Sequence, residues 1–154
     1  MANYKAREDI VLAHVILLFH RQDETNAFKI ESHLRGLEFP RVGKVRVAMV
    51  EEPSLPENLE DVLQSVDRGA VIMALFTPRF TAKNLSTVYK LFYYTIKKNP
   101  MCFVPVYLEQ FKWTKFVPHQ FSLHKGIWWN RDGQALLCKT LEHHITQKYP
   151  FSDI

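Results

Sequence analysis

The sequence is poor in the features that mark specialised chains. Two cysteines, Cys102 and Cys138, occur among 154 residues, so at most one internal disulfide is possible, and their spacing matches neither a zinc site nor a thioredoxin-like pair. Both are read as reduced, packed thiols. Five glycines and eight prolines exclude a collagen-like or low-complexity chain. The longest apolar stretches, Val15 to Phe19 and Val71 to Phe76, fall far short of the roughly 20 residues that span a bilayer. Residues 1–9 lack the apolar segment and cleavage site of a secretory signal. No membrane insertion is expected, and the expected location is the cytoplasm. There is no run of five or more like charges, no Gly-x-Gly-x-x-Gly, no phosphate-binding Gly-Lys-Ser/Thr and no serine nucleophile elbow. Acidic residues are missing altogether from Arg68 to Leu108, a stretch that carries Arg68, Arg79, Lys83, Lys90, Lys97 and Lys98.

What is present argues for one ordinary folded domain. The chain is 47% apolar, 13% aromatic and 23% charged, whereas a disordered chain is poor in apolar residues and rich in net charge. Its length allows burial of close to roughly 70% of the surface the unfolded chain exposes. The net charge of +4 is spread along the sequence. The densest mixture of cations and rings lies between Phe111 and Lys125, with Lys112, Trp113, Lys115, Phe116, His119, Phe121 and His124. Such interleaving could follow a phosphate backbone while stacking on bases. It is read here as an irregular segment whose rings tuck onto the core while its lysines stay in water, and nucleic acid is not an expected partner.

Strand and helix patterns alternate along the chain. Ala13 to Phe19 reads as a buried first strand, closed by the polar turn His20 to Asp23. Asp23 or Thr25 can cap a helix carrying Ala27, Ile30, Leu34 and Leu37, extending toward Pro40 and Gly43. Val45 to Val50 is a second strand. Pro53 and Pro56 lie within four residues and predict a stiff loop over Glu51 to Glu57. Asn58 then caps a helix with Leu59, Val62, Leu63 and Val66 on one face, stopping near Arg68 and Gly69. Ala70 to Phe76 is the third strand, Leu85 to Lys98 a helix ended by Asn99 and Pro100, and Met101 to Val106 the fourth strand, in which Pro105 argues for a position near the sheet edge or the strand end. Gly126 to Trp129 supplies a brief fifth strand. A last helix from Asn130 or Asp132 presents Ala135, Leu137, Leu141, His144 and Ile145.

Strands apolar throughout, alternating with helices, specify an α/β fold with a mostly parallel sheet covered on both faces. Sites in such sheets gather at the carboxyl ends of the strands. Few arrangements for catalysis are available. Adjacent His143 and His144 point about 100° apart on a helix and cannot form the i, i+4 pair of a zinc helix; no metal or cofactor is expected. His14 and His20 flank the first strand and are read as surface or capping histidines, and Cys138 as packing. Trp128 and Trp129 are expected to split, one ring in the core and one partly exposed.

The order of elements and three motifs resemble the Toll/interleukin-1 receptor (TIR) domain over about Ala13 to Tyr149. The first motif is Val15 to Phe19 followed by Asp23 and Glu24. The second is Glu51-Glu52-Pro53-Ser54-Leu55-Pro56, then Leu59 to Val66, then Val71-Ile-Met-Ala-Leu-Phe-Thr-Pro-Arg-Phe80. The third is Phe103 to Leu108 with Gly126-Ile-Trp-Trp129. Residue 57 is glutamate where family members often place glycine after the loop proline.

The resemblance implies a flavodoxin-like three-layer sandwich, with a five-stranded, mostly parallel sheet and helices on both faces. The domain is expected over residues 13–149, with 1–12 an N-terminal extension and 150–154 a tail. It also implies a cytosolic signalling or adaptor role in innate immunity through contact with other TIR domains, by self-association or pairing with a receptor or adaptor. The expected partner surface is Glu52, Pro53, Ser54, Leu55, Pro56 and Glu57, with Leu55 exposed as an apolar anchor, together with Lys83 and Lys90 on the basic segment and helix that follow the third strand. Some TIR domains cleave NAD, and in those the resemblance implies a glutamate on the helix after strand three. The corresponding position here falls within a turn of Phe92, inside the acid-free stretch, so no enzymatic activity is expected. The alternatives are a TIR NAD hydrolase and a nucleotide or nucleic-acid binding module.

Overall fold

The computed structural model describes residues 10–39, 43–77, 85–98, 102–107 and 127–129, with Ala135, Lys139 and Leu141. Its elements are β1 (Val15–Phe19), α1 (Glu24–Arg35), β2 (Glu38–Phe39), β3 (Gly43–Lys44), β4 (Val47–Glu51), α2 (Leu55–Asp67), β5 (Val71–Phe76), α3 (Leu85–Lys98), β6 (Phe103–Tyr107) and β7 (Ile127–Trp128). Five of the strands form one parallel sheet in the order β4-β1-β5-β6-β7. Counting only those five along the chain, the order is 2-1-3-4-5, the flavodoxin-like arrangement.

The strands read as unbroken apolar runs because both faces are covered. Side chains alternate across the sheet, and Ile16, Leu18, Ala48, Val50, Ile72, Ala74, Phe76, Phe103 and Tyr107 meet Leu55, Val62 and Val66 of α2 and Val88, Leu91 and Phe92 of α3. Their neighbours Val15, Leu17, Phe19, Val47, Val71, Met73, Leu75, Val104 and Val106 meet Ala27, Ile30 and Leu34 of α1 and Leu141. The fold is therefore a three-layer α/β sandwich. Ile10 belongs to the first of these clusters and is fully buried, so core packing reaches back into the segment expected to be an extension.

Several local expectations need correction. The first helix stops at Arg35, and Leu37, which continues its apolar spacing, is followed by a short antiparallel hairpin of β2 and β3. Gly43 in that hairpin has φ +79°, a conformation few other residues adopt. The helix after strand two begins at Leu55 rather than after Asn58, with residues 52–54 forming a single 3-10 turn. It ends as expected, where Gly69 at φ +102° lets its N–H close onto Val66 at 2.9 Å.

Pro105 sits within β6, which is not an outer strand. The Tyr107 carbonyl accepts from Trp129 N–H at 3.0 Å, so odd-numbered residues of β6 turn their main-chain groups toward β7. β7 pairs only with Val106 and Tyr107. Pro105 thus presents its donorless nitrogen to a stretch of that side which β7 does not pair, where a missing N–H costs no ladder bond.

His14 is buried, 2% exposed, and is neither a surface nor a capping residue. Its Nδ1 accepts from the Arg46 N–H at 2.9 Å, which places the ring proton on Nε2. Burial first, and the charge of Arg46 second, lower its pKa from 6.5 to about 4. The unfolded chain therefore binds a proton between pH 6.5 and 4 that the folded chain refuses, and stability must fall as pH falls through that window. At roughly 1.4 kcal/mol per pH unit the loss is about 3 kcal/mol. His14→Asn keeps an acceptor near Nδ1 and removes the titration. Urea unfolding at pH 7 and pH 4 is expected to show the variant gaining that amount on the parent as pH falls; a constant difference would contradict it.

Candidate functional site

In an open parallel sheet the place where connections leave in opposite directions forms a crevice at the carboxyl ends of the strands. Here β1 has β4 on one side and β5 on the other, and the residues that leave β1, β4 and β5 at that end are polar. His20 caps the 3-10 turn of residues 21–23, its Nδ1 accepting from the Gln22 N–H at 3.1 Å. Arg21, beyond β1, donates through Nε to Glu51 at the end of β4, at 2.8 Å. Asp23, expected to cap α1, makes no side-chain cap bond. Its carboxylate is buried and accepts from the Thr77 hydroxyl at 2.7 Å.

These two bonds tie the strand ends together, and Asp23–Thr77 is the one that crosses the β1/β5 switch point. Arg21–Glu51 joins the β1 and β4 exits at the surface, and an ion pair so exposed contributes little to stability. Asp23–Thr77 joins the β1 and β5 exits under cover. A short bond from a hydroxyl to a carboxylate is among the stronger kinds, and burial makes each partner costly to leave unpaired. Glu52 is also buried, at the exit of β4. The sequence signal for the Asp23–Thr77 pair was weak: each polar residue directly follows an apolar strand or its turn, but the two stand 54 positions apart.

The expected partner surface is divided by the structure. Pro53, Pro56 and Glu57 are exposed and Ser54 is half-buried. Glu52 and Leu55 are fully buried. The expectation of Leu55 as an exposed anchor on a loop is overturned: Leu55 opens α2 and packs into the core under it. Pro56 lies in the first turn of the helix, where the absent N–H would have had no partner and the fixed φ suits the helix. Two close prolines therefore start this helix instead of preventing it. Glu57 takes helical backbone in that turn, so no left-handed glycine is needed, and its charge is favourable at a helix N-terminus.

Lys90 is exposed on α3, whose bounds match the expected ones. Lys83 lies outside the described residues, as do Cys138, His143, His144 and the basic-aromatic segment 111–125. Phe92 is buried, its ring edge-to-face with Phe103 at 5.0 Å. The next residue, exposed Tyr93, meets the Phe92 ring edge-to-face at 5.3 Å and stacks on Tyr89, one turn back, at 5.7 Å. Tyr94 donates to Asp67 at 2.7 Å, and Lys98 lies 3.4 Å from the same carboxylate, so the carboxyl ends of α2 and α3 are tied side by side. Trp129 is half-buried against the α1 face and meets His33 edge-to-face at 5.5 Å; the Trp128 side chain lies outside the described residues. Cys102 is buried.

Among the described residues no group of three or more His, Cys, Asp or Glu side chains is placed to hold a metal ion, and no helix is long and apolar enough to cross a membrane. No protein-family model and no curated protein matches the chain.

Proposed function

We propose that the chain is a TIR-type interaction domain that works by binding further copies of itself or similar domains in innate immune signalling, and not by cleaving NAD. The observation that carries this reading is the burial of Phe92. The resemblance places the glutamate of NAD-cleaving members within a turn of Phe92, in a stretch that holds no Asp or Glu, and Phe92 itself is a phenyl ring packed edge-to-face on Phe103 in the core. A carboxylate that positions a ribose and offsets developing positive charge must face the ligand, and a core ring does neither. The binding side of the proposal rests on Pro53, Pro56 and Glu57, exposed at the start of α2 on backbone already fixed by the helix and by proline, so docking there orders little additional chain.

Light scattering of the purified protein over a concentration series tests the reading. The expected result is a mass that rises with concentration while circular dichroism stays constant. A single-copy mass throughout would overturn the self-association on which this reading rests.

A further inference from the structure

Helices α2 and α3 lie side by side on one face of the sheet, and their outward stripes carry opposite charge. On α2 the exposed Glu57, Glu60, Gln64 and Asp67 form one line at helical spacing, beside exposed Pro56 in the first turn. On α3 the exposed Lys90, Tyr93 and Lys97 again form one line, with exposed Lys98 beside its end. The two helices run in the same direction, because both precede strands of a parallel sheet and their carboxyl ends meet where Tyr94 and Lys98 reach Asp67. An acidic and a basic helix have thus been set next to each other, in parallel, on one layer of the molecule.

Such a layer is complementary to itself under only one kind of two-fold rotation. An axis lying in the interface parallel to the helices carries α2 of one copy onto α3 of the other, and α3 onto α2, at unchanged height. Glu57 and Glu60 then face Lys90 of the second copy, Gln64 lies near its Tyr93, and the Asp67 end of α2 comes beside Lys97. An axis perpendicular to the helices instead stacks α2 on α2 and α3 on α3, and like charges so placed repel. We propose that the α2–α3 layer is a self-docking face that pairs two copies about a two-fold axis parallel to these helices, each acidic α2 against the basic α3 of the other. This deepens the self-association reading above and rests on it.

Size sets the strength of the contact. Helices of 13 and 14 residues are about 20 Å long at 1.5 Å per residue. Two of them about 10 Å apart offer a face of roughly 400 Å², half of the roughly 800 Å² per partner of a standard stable interface. The pair is therefore weak, dependent on concentration and sensitive to salt. Tyr93, 41% exposed and held flat on Tyr89, supplies its apolar centre, since a ring stacked in advance loses little freedom on contact.

Sedimentation velocity on the full chain in about 50 mM salt, where exposed charges interact over more than about 10 Å, provides the test. The parent is expected to form a species of two copies that dissociates at about 0.5 M salt. Lys90→Glu/Lys97→Glu makes both stripes acidic, and Glu57→Lys/Glu60→Lys makes both basic. Each variant alone should associate at least about tenfold more weakly, with circular dichroism showing the parent's fold, and an equimolar mixture of the two should restore the two-copy species. If the parent associates and both variants match it, or the mixture fails to recover, or the parent grows beyond two copies, this interface is wrong and self-association stands. A parent that stays single at every concentration overturns both.

Discussion

Leu55→Ala is expected to lower the stability of the domain by about 2–5 kcal/mol and its melting temperature by roughly 4–20 °C, at about 2–4 °C per kcal/mol for a chain of this size. Leu55 is fully buried at the first position of α2, among Val62, Val66 and the side chains of β1, β4 and β5 on that face. Removing its branched end leaves a cavity that the surrounding strands cannot close. Leu55→Asp should be worse, because an ionised carboxylate in that cluster has no water around it. Neighbouring Pro56 is exposed, so Pro56→Ala should cost less than about 1 kcal/mol, mainly through a looser unfolded chain. Thermal melts of the two alanine variants check the contrast. Near-parental stability of Leu55→Ala would return that residue to the surface and the segment to a loop.

Phe92→Glu is expected to prevent cooperative folding. Phe92→Ala alone should remove about 3–5 kcal/mol, a large share of the roughly 5–15 kcal/mol that holds a domain together, since the ring is buried and meets Phe103 edge-to-face at 5.0 Å. Placing a carboxylate there adds the cost of burying a charge. The loss should appear in near-ultraviolet circular dichroism and in the absence of a sharp melt. A Phe92→Glu protein that folds with a melting temperature near the parent's would mean that this face of α3 opens onto solvent or a ligand site, and the argument against catalysis would lose its support.

Much of the fold was legible because apolar periodicity reports burial directly. The runs Val15 to Phe19 and Val71 to Phe76 have no polar alternation, and both are strands packed on two sides. For α3 the expected span from Leu85 to the stop at Asn99-Pro100 matches the observed bounds. The same signal failed where burial and backbone part company. Leu37 keeps the spacing of α1 and packs against the same cluster, yet the helix has already ended at Arg35.

The failures at the candidate site have a different cause. Pro53 and Pro56 fix local angles that suit either a stiff turn or the first turn of a helix, and the choice was made by the burial of Leu55, a contact with strands that the local sequence does not specify. Asp23 has the composition of a cap, but its carboxylate goes to Thr77 across the switch point. His14 was read by its place at the edge of a strand, and its environment is instead set by the Arg46 N–H it accepts from. In each case a partner distant in sequence outweighed the local preference.

The central claim, an interaction domain without NAD-cleaving chemistry, is tested most directly by nicotinamide release from NAD incubated with the purified protein at concentrations where it associates. The account predicts release no greater than in a protein-free control at every protein concentration. Release that scales with protein, and that is lost when Glu51 or Glu52 at the exit of β4 is changed to glutamine, would contradict it and show that the carboxylate is supplied from the strand ends rather than from α3.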